Sequence, residues 1–281
     1  MRRVSFRLPA EEKEDLLDAL MPLLPAGIRE RAAGEGEIEL STVAAAPPER
    51  AALEAAAGRP LAGWEEEDVP ADWRARRARF GGGAHVVGGR LRVRSPWDPP
   101  GGADVVDLVI ERGGGGFGSG SHATTRMCLA LLLELDPARG AADLGCGLGT
   151  LAIAAARLGW SPVVAVDRME GAVAAARANG ARNGVQVDWR VADLETAPIP
   201  LDALLLVNAP PPVHARVADE LAASPRTAPA GSSRVHRVIV SGLVPGELAA
   251  VAPAYASAGW AVAARLEEDG WAAALLEPAG A

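Results

Sequence analysis

Three glycines at alternate positions stand where a predicted strand gives way to a predicted helix in the middle of the chain. They are Gly145, Gly147 and Gly149 in the stretch DLGCGLGT, and the apolar run LAIAAARLG follows. Because glycine has no β-carbon, the backbone can turn sharply at these positions and approach a ligand closely. A glycine-rich turn alone does not identify that ligand, so the neighbouring residues have to be considered.

The next predicted strand, VVAVD, ends in Asp167. An acid at the tip of that strand can accept hydrogen bonds from both hydroxyls of a ribose. The alternative is an ordinary capping residue for the helix that follows. Taken together, the glycine-rich turn and Asp167 favour an adenosine-containing cofactor.

The spacing of the glycines distinguishes between two such cofactors. A dinucleotide site requires G-x-G-x-x-G, but the position of its third glycine is Thr150 here, so a conventional NAD site is disfavoured. The pattern D-x-G-x-G-x-G is instead typical of S-adenosylmethionine-dependent methyltransferases. Gly145 to Gly149 would then line the methionine part of the cofactor, and Asp167 would hold its ribose.

A proline-rich loop follows a further predicted strand, LDALLLVN, which ends in Asn208. Three consecutive prolines fix φ and remove backbone donors, so one interpretation is simply a rigid loop. The functional interpretation places Asn208 at the rim of the cofactor cleft, where its amide oxygen and the loop carbonyls would orient an incoming amine. Asn/Asp-Pro-Pro loops occur at this place in methyltransferases that act on nitrogen.

Three more side chains near these motifs have alternative interpretations. Asp193, at the end of WRVAD, either reaches the adenine amino group or is an ordinary loop acid. His122 is a candidate general base, but we favour a role in fixing the glycine-rich segment around it by hydrogen bonding. Cys146 lies inside the glycine-rich turn and is interpreted as a packing residue, because no cationic group is evident to activate its thiol.

The elements that must position these residues alternate between strands and helices from Thr125 to a predicted terminal hairpin, WAVAARLEEDGWAAALLEP. This alternation predicts a parallel sheet wound on both faces, that is, a Rossmann-like doubly wound α/β domain over residues 91–281. Such sheets bind ligands at the carboxyl ends of their strands. The glycine-rich turn, Asp167 and Asn208 all fall at such ends.

The beginning of the chain has a different organisation. Residues 1–63 follow the order β-α-β-β-α-β, which predicts a small α+β ferredoxin-like domain. Residues 64–90 are predicted to be a linker, within which the charged stretch from Glu65 to Phe80 predicts a solvated helix with opposing charges. Strands are then predicted in RLRVRSPW and VVDLVIE.

Composition limits the classes of partner and compartment. The 281 residues are 49% hydrophobic and carry a net charge of −8, so no direct nucleic-acid binding is expected, whereas a basic protein is a suitable partner. The two cysteines form neither a disulfide framework nor a metal site with the histidines, which indicates a reduced, cytoplasmic protein. The sequence predicts neither a signal peptide nor a membrane-spanning run, and it does not predict the oligomeric state.

The quoted motifs together resemble one family. FGSGSHATT is similar to the F-G-T-G-x-H-x-T-T segment of the methyltransferase that modifies ribosomal protein L11 of the large subunit, the PrmA family. The resemblance covers roughly residues 65–275 and includes VPADWRARRARF, RLRVRSPW, DLGCGLGTLAIAAARLG, VVAVD, ANGARNGV and IVSGLVPGEL. The β-α-β-β-α-β head is similar to that family's substrate-recognition domain.

The resemblance implies a class I methyltransferase in which Thr125, Gly145, Asp167 and Asn208 contact S-adenosylmethionine. It also implies a protein N-methyltransferase that methylates lysine ε-amines, the N-terminal α-amine, or both, on a basic ribosomal protein. In that family the N-terminal domain holds the substrate, and a flexible linker lets the catalytic domain reach several targets.

The sequence departs from the family at the acceptor loop, where Asn208-Ala209-Pro210 replaces the usual Asn-Ile-Leu. Two alternatives therefore stay open: a related methyltransferase with a different protein or small-amine acceptor, and a non-catalytic cofactor-binding interaction module. Smaller departures are Ser119, Ser121 and Ala123, where Thr, Thr and Pro are common, and a longer or looser loop over residues 224–237.

The segment GGGGFGSGSHATT, which precedes the first helix of the predicted catalytic domain, divides into two parts. Gly113 to Gly116 are predicted to be a mobile hinge. Phe117 to Thr125 are predicted to form a cofactor lid, in which Phe117 packs against the ligand or the domain edge.

Overall fold

The chain forms two compact units in the computed structural model, the first within residues 1–83 and the second from residue 84 onward. The structure describes residues 2–24, 28–34, 36–68, 84–96, 98, 100–102, 104–111, 118, 120–137, 139–224 and 235–280. Each unit is built around its own hydrophobic core.

The first unit contains a four-stranded antiparallel sheet with the strand order β2-β3-β1-β4. Its elements are β1 (Arg2–Pro9), α1 (Lys13–Leu20), β2 (Arg29–Gly34), β3 (Glu37–Ala44), α2 (Arg50–Ala57) and β4 (Ala62–Asp68), with short 3-10 helices at Ala10–Glu12 and Met21–Leu23. The β-α-β-β-α-β order predicted for this part of the chain is confirmed. Both helices pack on the sheet, since Leu20 and Leu53 join Phe6 and Leu40 in one buried cluster.

Strand β4 corrects the sequence prediction for the charged segment. The charge pattern predicts a helix beginning at Glu65. Strand β4 instead continues to Asp68 and pairs with β1, so that Arg3 lies opposite Glu67. The Nη1 atom of Arg3 lies 2.7 Å from Oε2 of Glu67. Backbone pairing and cross-strand ion pairs therefore override the helical charge pattern here, and the remainder of the predicted helix, residues 69–80, lies outside the described residues.

The second unit begins at Ala84, so residues 84–90 of the predicted linker belong to it. A small sheet comes first, with the order β5-β6-β7. Its strands are β5 (His85–Val87), β6 (Leu91–Arg94) and β7 (Val106–Val109). The pair β5/β6 is antiparallel, whereas β6/β7 is parallel.

The main sheet of the second unit has seven strands in the order β10-β9-β8-β11-β12-β14-β13. They are β8 (Ala141–Leu144), β9 (Val163–Asp167), β10 (Asp188–Val191), β11 (Leu204–Asn208), β12 (Arg237–Leu243), β13 (Trp260–Glu268) and β14 (Trp271–Pro278). The first five positions pair in parallel, and β14 is antiparallel to both of its neighbours. The order reverses between β8 and β11, which makes their carboxyl ends the topological switch point where such sheets bind ligands.

Helices cover both faces of this sheet, as the alternating pattern predicts. They are α3 (Ala123–Leu133), α4 (Thr150–Leu158), α5 (Glu170–Arg182), α6 (Pro211–Ala223) and α7 (Pro245–Ser257). Met127 of α3 and Ile153 of α4 pack in one core, while Val217 of α6 and Tyr255 of α7 pack in the other. The second unit is therefore a doubly wound, Rossmann-like α/β domain, and the first is a small α+β domain that precedes it.

Candidate active site

The glycine-rich turn leaves β8 at the switch point and leads into α4. Gly145, Gly147 and Gly149 have φ values of +83°, +51° and +81°, all in the left-handed region that favours glycine. The amides of Gly145 and Cys146 donate to the carbonyl of Val166 at 2.8 and 2.9 Å, which fastens the turn to β9. The sequence prediction of a tight turn at this strand end is confirmed.

Close packing also requires glycine at position 149, a constraint that the sequence analysis did not predict. A β-carbon at Gly149 would lie 2.7 Å from the indole ring of Trp189 and 3.0 Å from Cβ of Ala176. Trp189 also fills the space beside Gly180, where a β-carbon would lie 2.8 Å from the ring. By contrast, a β-carbon at Gly145 would make only an ordinary contact, at 3.7 Å, with Cβ of Ala209.

Asp167 lies beside the glycine-rich turn, as its place at the end of β9 predicts. Its Oδ2 accepts a hydrogen bond from the amide of Gly147 at 2.8 Å, and its Oδ1 accepts one from the amide of Met169 at 2.9 Å. Met169 is the N-cap residue of α5, so the carboxylate links the turn to the start of that helix. A carboxylate has about four acceptor positions, so two remain available for a ribose.

Asp143 begins the D-x-G-x-G-x-G pattern and is only 1% exposed. Its Oδ2 accepts a hydrogen bond from the amide of Ala152 at 2.9 Å. The pKa of this carboxyl is raised from 3.8 to about 7, chiefly by burial and also by the negative charge of nearby Asp167, although the hydrogen bond from the Ala152 amide lowers it. A cationic ligand at the turn would offset the cost of ionising this group.

Three buried oxygen atoms of the motif residues have no hydrogen-bond partner within the part of the chain that the structure describes. They are Oγ1 of Thr125, Oδ1 of Asp143 and Oδ1 of Asn208. Buried polar atoms are nearly always hydrogen-bonded in native proteins, so each such atom calls for a partner. The three atoms are all able to accept, which suits a ligand or acceptor rich in N–H and O–H donors and carrying positive charge.

The loop after Asn208 is short and leads into a helix whose first two residues are prolines. Pro210 is the N-cap residue of α6, which begins at Pro211, where missing N–H groups cost nothing. Two of the loop carbonyls have hydrogen-bond partners within the chain. The carbonyl of Ala209 accepts a hydrogen bond from His214 and that of Pro210 accepts one from the amide of Val213, so both already have partners within the loop and α6. The orphaned amide oxygen of Asn208 is then the loop's best candidate for receiving an amine.

His214 is a residue of this site that sequence reasoning did not single out. It is completely buried, and its Nε2 lies 3.0 Å from the carbonyl oxygens of both Ala209 and Ser241. Because both partners are acceptors, Nε2 carries the proton and donates to them. His214 thereby fastens the acceptor loop to the end of β12. The sequence carried no signal for this role beyond a histidine on the inner face of a helix.

The part of the predicted lid that the structure describes contacts the start of α4 and strand β6. The hydroxyl of Thr150 donates to the carbonyl of Gly118. Gly120 has a φ of +78°, and a β-carbon there would lie 2.5 Å from Cγ1 of Val93, so the backbone passes directly over β6. Phe117 and the predicted hinge, residues 113–116, lie outside the described residues.

His122 is the N-cap residue of α3. Its Nδ1 accepts a weak hydrogen bond from the amide of Thr124 at 3.4 Å and lies 2.8 Å from that residue's hydroxyl. The imidazole also meets the ring of Trp271 edge-on, with the centroids 4.9 Å apart. These contacts favour the fixing role over the general base. One turn further along α3, Arg126 forms an ion pair with Glu268 at the end of β13, with 2.7 Å between Nη2 and Oε1.

The remaining predicted residues lie on the rim or in the core. Asp193 is exposed and its Oδ1 accepts a hydrogen bond from the amide of Glu195 at 2.9 Å, so it shapes the turn after β10. The amide of Ala192 donates to the carbonyl of Asp167 at 3.0 Å, which places this turn next to Asp167. Cys146 is buried, and burial raises its thiol pKa far above the ordinary value, as a packing role requires.

The described residues contain neither a cluster of metal ligands nor a membrane-spanning helix. No group of three or more His, Cys, Asp or Glu side chains in them could hold a metal ion. Among the helices that the structure describes, none is long and apolar enough to cross a membrane.

Comparisons with known proteins agree on one family. The profile of the family described as "Ribosomal protein L11 methyltransferase (PrmA)" matches residues 84–277. The ribosomal protein L11 methyltransferase of Geobacter metallireducens is 32% identical over 278 residues, which are 97% of this chain and 80% of the relative. That of Symbiobacterium thermophilum is 35% identical over 214 residues, which are 75% of this chain and 66% of the relative.

A solved structure shows the same fold. The crystal structure of ribosomal protein L11 methylase from Lactobacillus delbrueckii subsp. bulgaricus matches with a TM-score of 0.56 and 22% sequence identity. The match covers 70% of this chain and 98% of that one.

Proposed function

The chain belongs to the ribosomal protein L11 methyltransferase (PrmA) family, and on that premise we propose that it transfers methyl groups from S-adenosylmethionine to nitrogen atoms of ribosomal protein L11. The acceptors in this proposal are lysine ε-amines, the N-terminal α-amine, or both. One observation carries it: three orphaned buried oxygens, on Thr125, Asp143 and Asn208, belong to the motif residues at the switch point.

The proposed cofactor contacts follow from where these residues lie. The backbone of Gly145 and Gly147 would line the methionine part, and Thr125 would contact it from the start of α3. The remaining acceptor positions of Asp167 would receive the ribose hydroxyls. Asp193, on the neighbouring turn, would reach the adenine amino group. Gly149 would line the methionine part as well, held in place by its packing against Trp189.

Asn208 would orient the acceptor. Bound S-adenosylmethionine supplies an electrophilic methyl group on a sulfonium. The amide oxygen of Asn208 would accept an N–H of the amine and so direct its lone pair. Alignment of two reactants contributes on the order of 7–11 kcal/mol, whereas deprotonating a lysine with a pKa near 10.4 costs about 4.6 kcal/mol at pH 7. Because the alignment term is the larger one, a dedicated general base is not required, in keeping with the capping contacts of His122.

The first unit is proposed to hold the protein substrate. The edge strand β4 exposes four consecutive acids, Glu65, Glu66, Glu67 and Asp68. Glu66 and Glu67 pair with Arg2 and Arg3, and a basic partner is complementary to the remaining charge on this edge. In this proposal the first unit, through Asp68 at the end of β4, serves recognition, and the second unit, from Ala84 onward, serves catalysis.

Incubation with labelled S-adenosylmethionine and purified ribosomal protein L11 tests the proposal. Label is expected on lysine or N-terminal amines, located by peptide mass spectrometry. Asn208→Ala should lower transfer by about tenfold or more, as expected for one lost hydrogen bond to the reacting group. Gln186→Ala, which removes an exposed amide elsewhere, should leave transfer unchanged.

Two other outcomes correspond to the alternatives. Transfer only to another protein or to a small amine would indicate a relative with a new acceptor, which the altered loop at Ala209 and Pro210 would explain. Cofactor binding without transfer to any protein of a lysate would indicate an interaction module.

A further inference from the structure

The outer edge of β7 is paired with side chains instead of a strand. Asn183 accepts a hydrogen bond from the amide of Val109 and donates one to its carbonyl, both at 2.8 Å. Asn179 does the same for Glu111, accepting at 2.9 Å and donating at 3.2 Å. Each carboxamide thus provides the donor and acceptor that a neighbouring strand residue would provide.

The spacing of the two asparagines explains how a helix can pair with a strand. Residues four apart on a helix are separated by about 6.0 Å along its axis, at 1.5 Å per residue. Residues two apart on a strand are separated by about 6.6 Å, at 3.3 Å per residue. Asn183 and Asn179 therefore match Val109 and Glu111, respectively, whose amides point to the same side.

The two asparagines differ in the second hydrogen bond that each Nδ2 donates, and Oδ1 of Asn179 also accepts a weak one from Nη1 of Arg182 at 3.4 Å. The Nδ2 atom of Asn179 also donates to the carbonyl of Leu148, at 3.1 Å, inside the glycine-rich turn. The second bond of the Asn183 amide goes instead to the carbonyl of Asn179, at 2.8 Å. Both side chains are buried, at 1% and 8% exposure, and each Nδ2 therefore donates two hydrogen bonds in a dry environment.

We propose that Asn179 is a positioning residue for cofactor binding, because it fastens the carbonyl of Leu148, and with it the glycine-rich turn, to the edge of the small sheet. The inference rests on the proposed function, in which that turn receives S-adenosylmethionine. Leu148 lies between Gly147 and Gly149, so its carbonyl sets the plane of the peptide that leads into Gly149. On the other side of the turn, the amide of Gly147 is held by Asp167.

A matched pair of substitutions isolates this contact. Asn179→Asp and Asn183→Asp each keep the shape and the accepting oxygen but remove two donated hydrogen bonds. Free energies of unfolding from urea titrations should fall by similar amounts in the two variants. The dissociation constant for S-adenosylmethionine, measured calorimetrically on the full chain, should rise about tenfold in Asn179→Asp. It should stay within about threefold of wild type in Asn183→Asp.

Kinetics give a second readout that a purely structural role would not move. In Asn179→Asp the KM for S-adenosylmethionine should rise while kcat at saturating cofactor stays near the wild-type value. If either variant does not fold, Asn179→Ala and Asn183→Ala, which introduce no charge, are compared in the same way. Equal cofactor affinities in the two variants would overturn the inference. Absence of cofactor binding by the wild-type chain would overturn the proposed function as well.

Discussion

The Nδ1 atom of His214 lies 3.0 Å from the hydroxyl of Tyr255, and both side chains are buried between α6 and α7. Because Nε2 carries the proton that it donates to two carbonyls, Nδ1 is the acceptor and the tyrosine hydroxyl is the donor. Burial lowers the pKa of His214 from 6.5 to about 4. The acceptor loop after Asn208 is thus held by a neutral histidine in one defined tautomer.

The first prediction concerns stability at acidic pH. In the unfolded chain His214 takes up a proton as the pH falls through 6.5, whereas in the folded chain it resists until about pH 4. Its contribution therefore disappears as the pH falls, by about 3 kcal/mol between pH 7.5 and pH 4. Urea unfolding of wild type and His214→Gln at the two pH values checks this: the stability difference between them should shrink by about that amount at pH 4. An unchanged difference would show that His214 takes up its proton at the same pH in the folded and unfolded chains.

The second prediction concerns the third glycine of the turn. Gly149→Ala places a β-carbon 2.7 Å from the ring of Trp189 on a residue with a φ of +81°. We expect a loss of about 3 kcal/mol in the free energy of unfolding, from backbone strain and overpacking together. Gly184→Ala is the control. Its φ is +65°, but a β-carbon added there would have no neighbouring atom within 4 Å, so the free energy of unfolding should fall by only about 1 kcal/mol. Equal losses would mean that Trp189 gives way without cost.

The third prediction concerns Asp143. Its pKa in the folded chain, about 7, exceeds the ordinary 3.8, so the group destabilises the fold increasingly as the pH rises between these values. Asp143→Asn removes that cost, and its stability relative to wild type should improve by up to about 4 kcal/mol from pH 4 to pH 8. Its affinity for S-adenosylmethionine should fall, because a negative charge facing a cationic ligand is lost. Calorimetry and unfolding at both pH values test the two effects, and a pH-independent stability difference would contradict the first.

The fourth prediction concerns His122. As the N-cap residue of α3, three positions before Thr125, it should influence where the start of the helix lies. His122→Ala should therefore weaken binding of S-adenosylmethionine more than it changes the pH dependence of turnover. Calorimetric binding and a pH–rate profile measure the two quantities. A shifted profile at unchanged cofactor affinity would instead identify His122 as a proton-transfer group.

Much of the site was predictable because its signals are local. The glycine-rich turn, the acid at the end of the next strand and the prolines after Asn208 each follow from a few adjacent residues. The order of elements in both units and the terminal hairpin follow from periodicity and turn residues in the same way. The roles of these residues toward the cofactor and the acceptor stay predictions.

The charged segment shows where local signals mislead. Glu65 to Asp68 favour a helix by charge pattern, but pairing with β1 makes them a strand. The terminal hairpin was predicted, yet not that β14 would lie between β12 and β13. Both features depend on which strand pairs with which. The pairing strand is distant in sequence, so a short stretch of residues cannot predict it.

The sequence by itself determined most of the elements, the cofactor motif and the family, since these depend on residue types at short, regular spacings. Only the tertiary structure decided which side chains hold that motif in place. Asn179 binds a residue 68 positions away, and His214 binds one 41 positions away. Such contacts need only one correctly placed donor and acceptor, which leaves no periodic trace in the sequence, and the fold alone brings them within hydrogen-bonding distance.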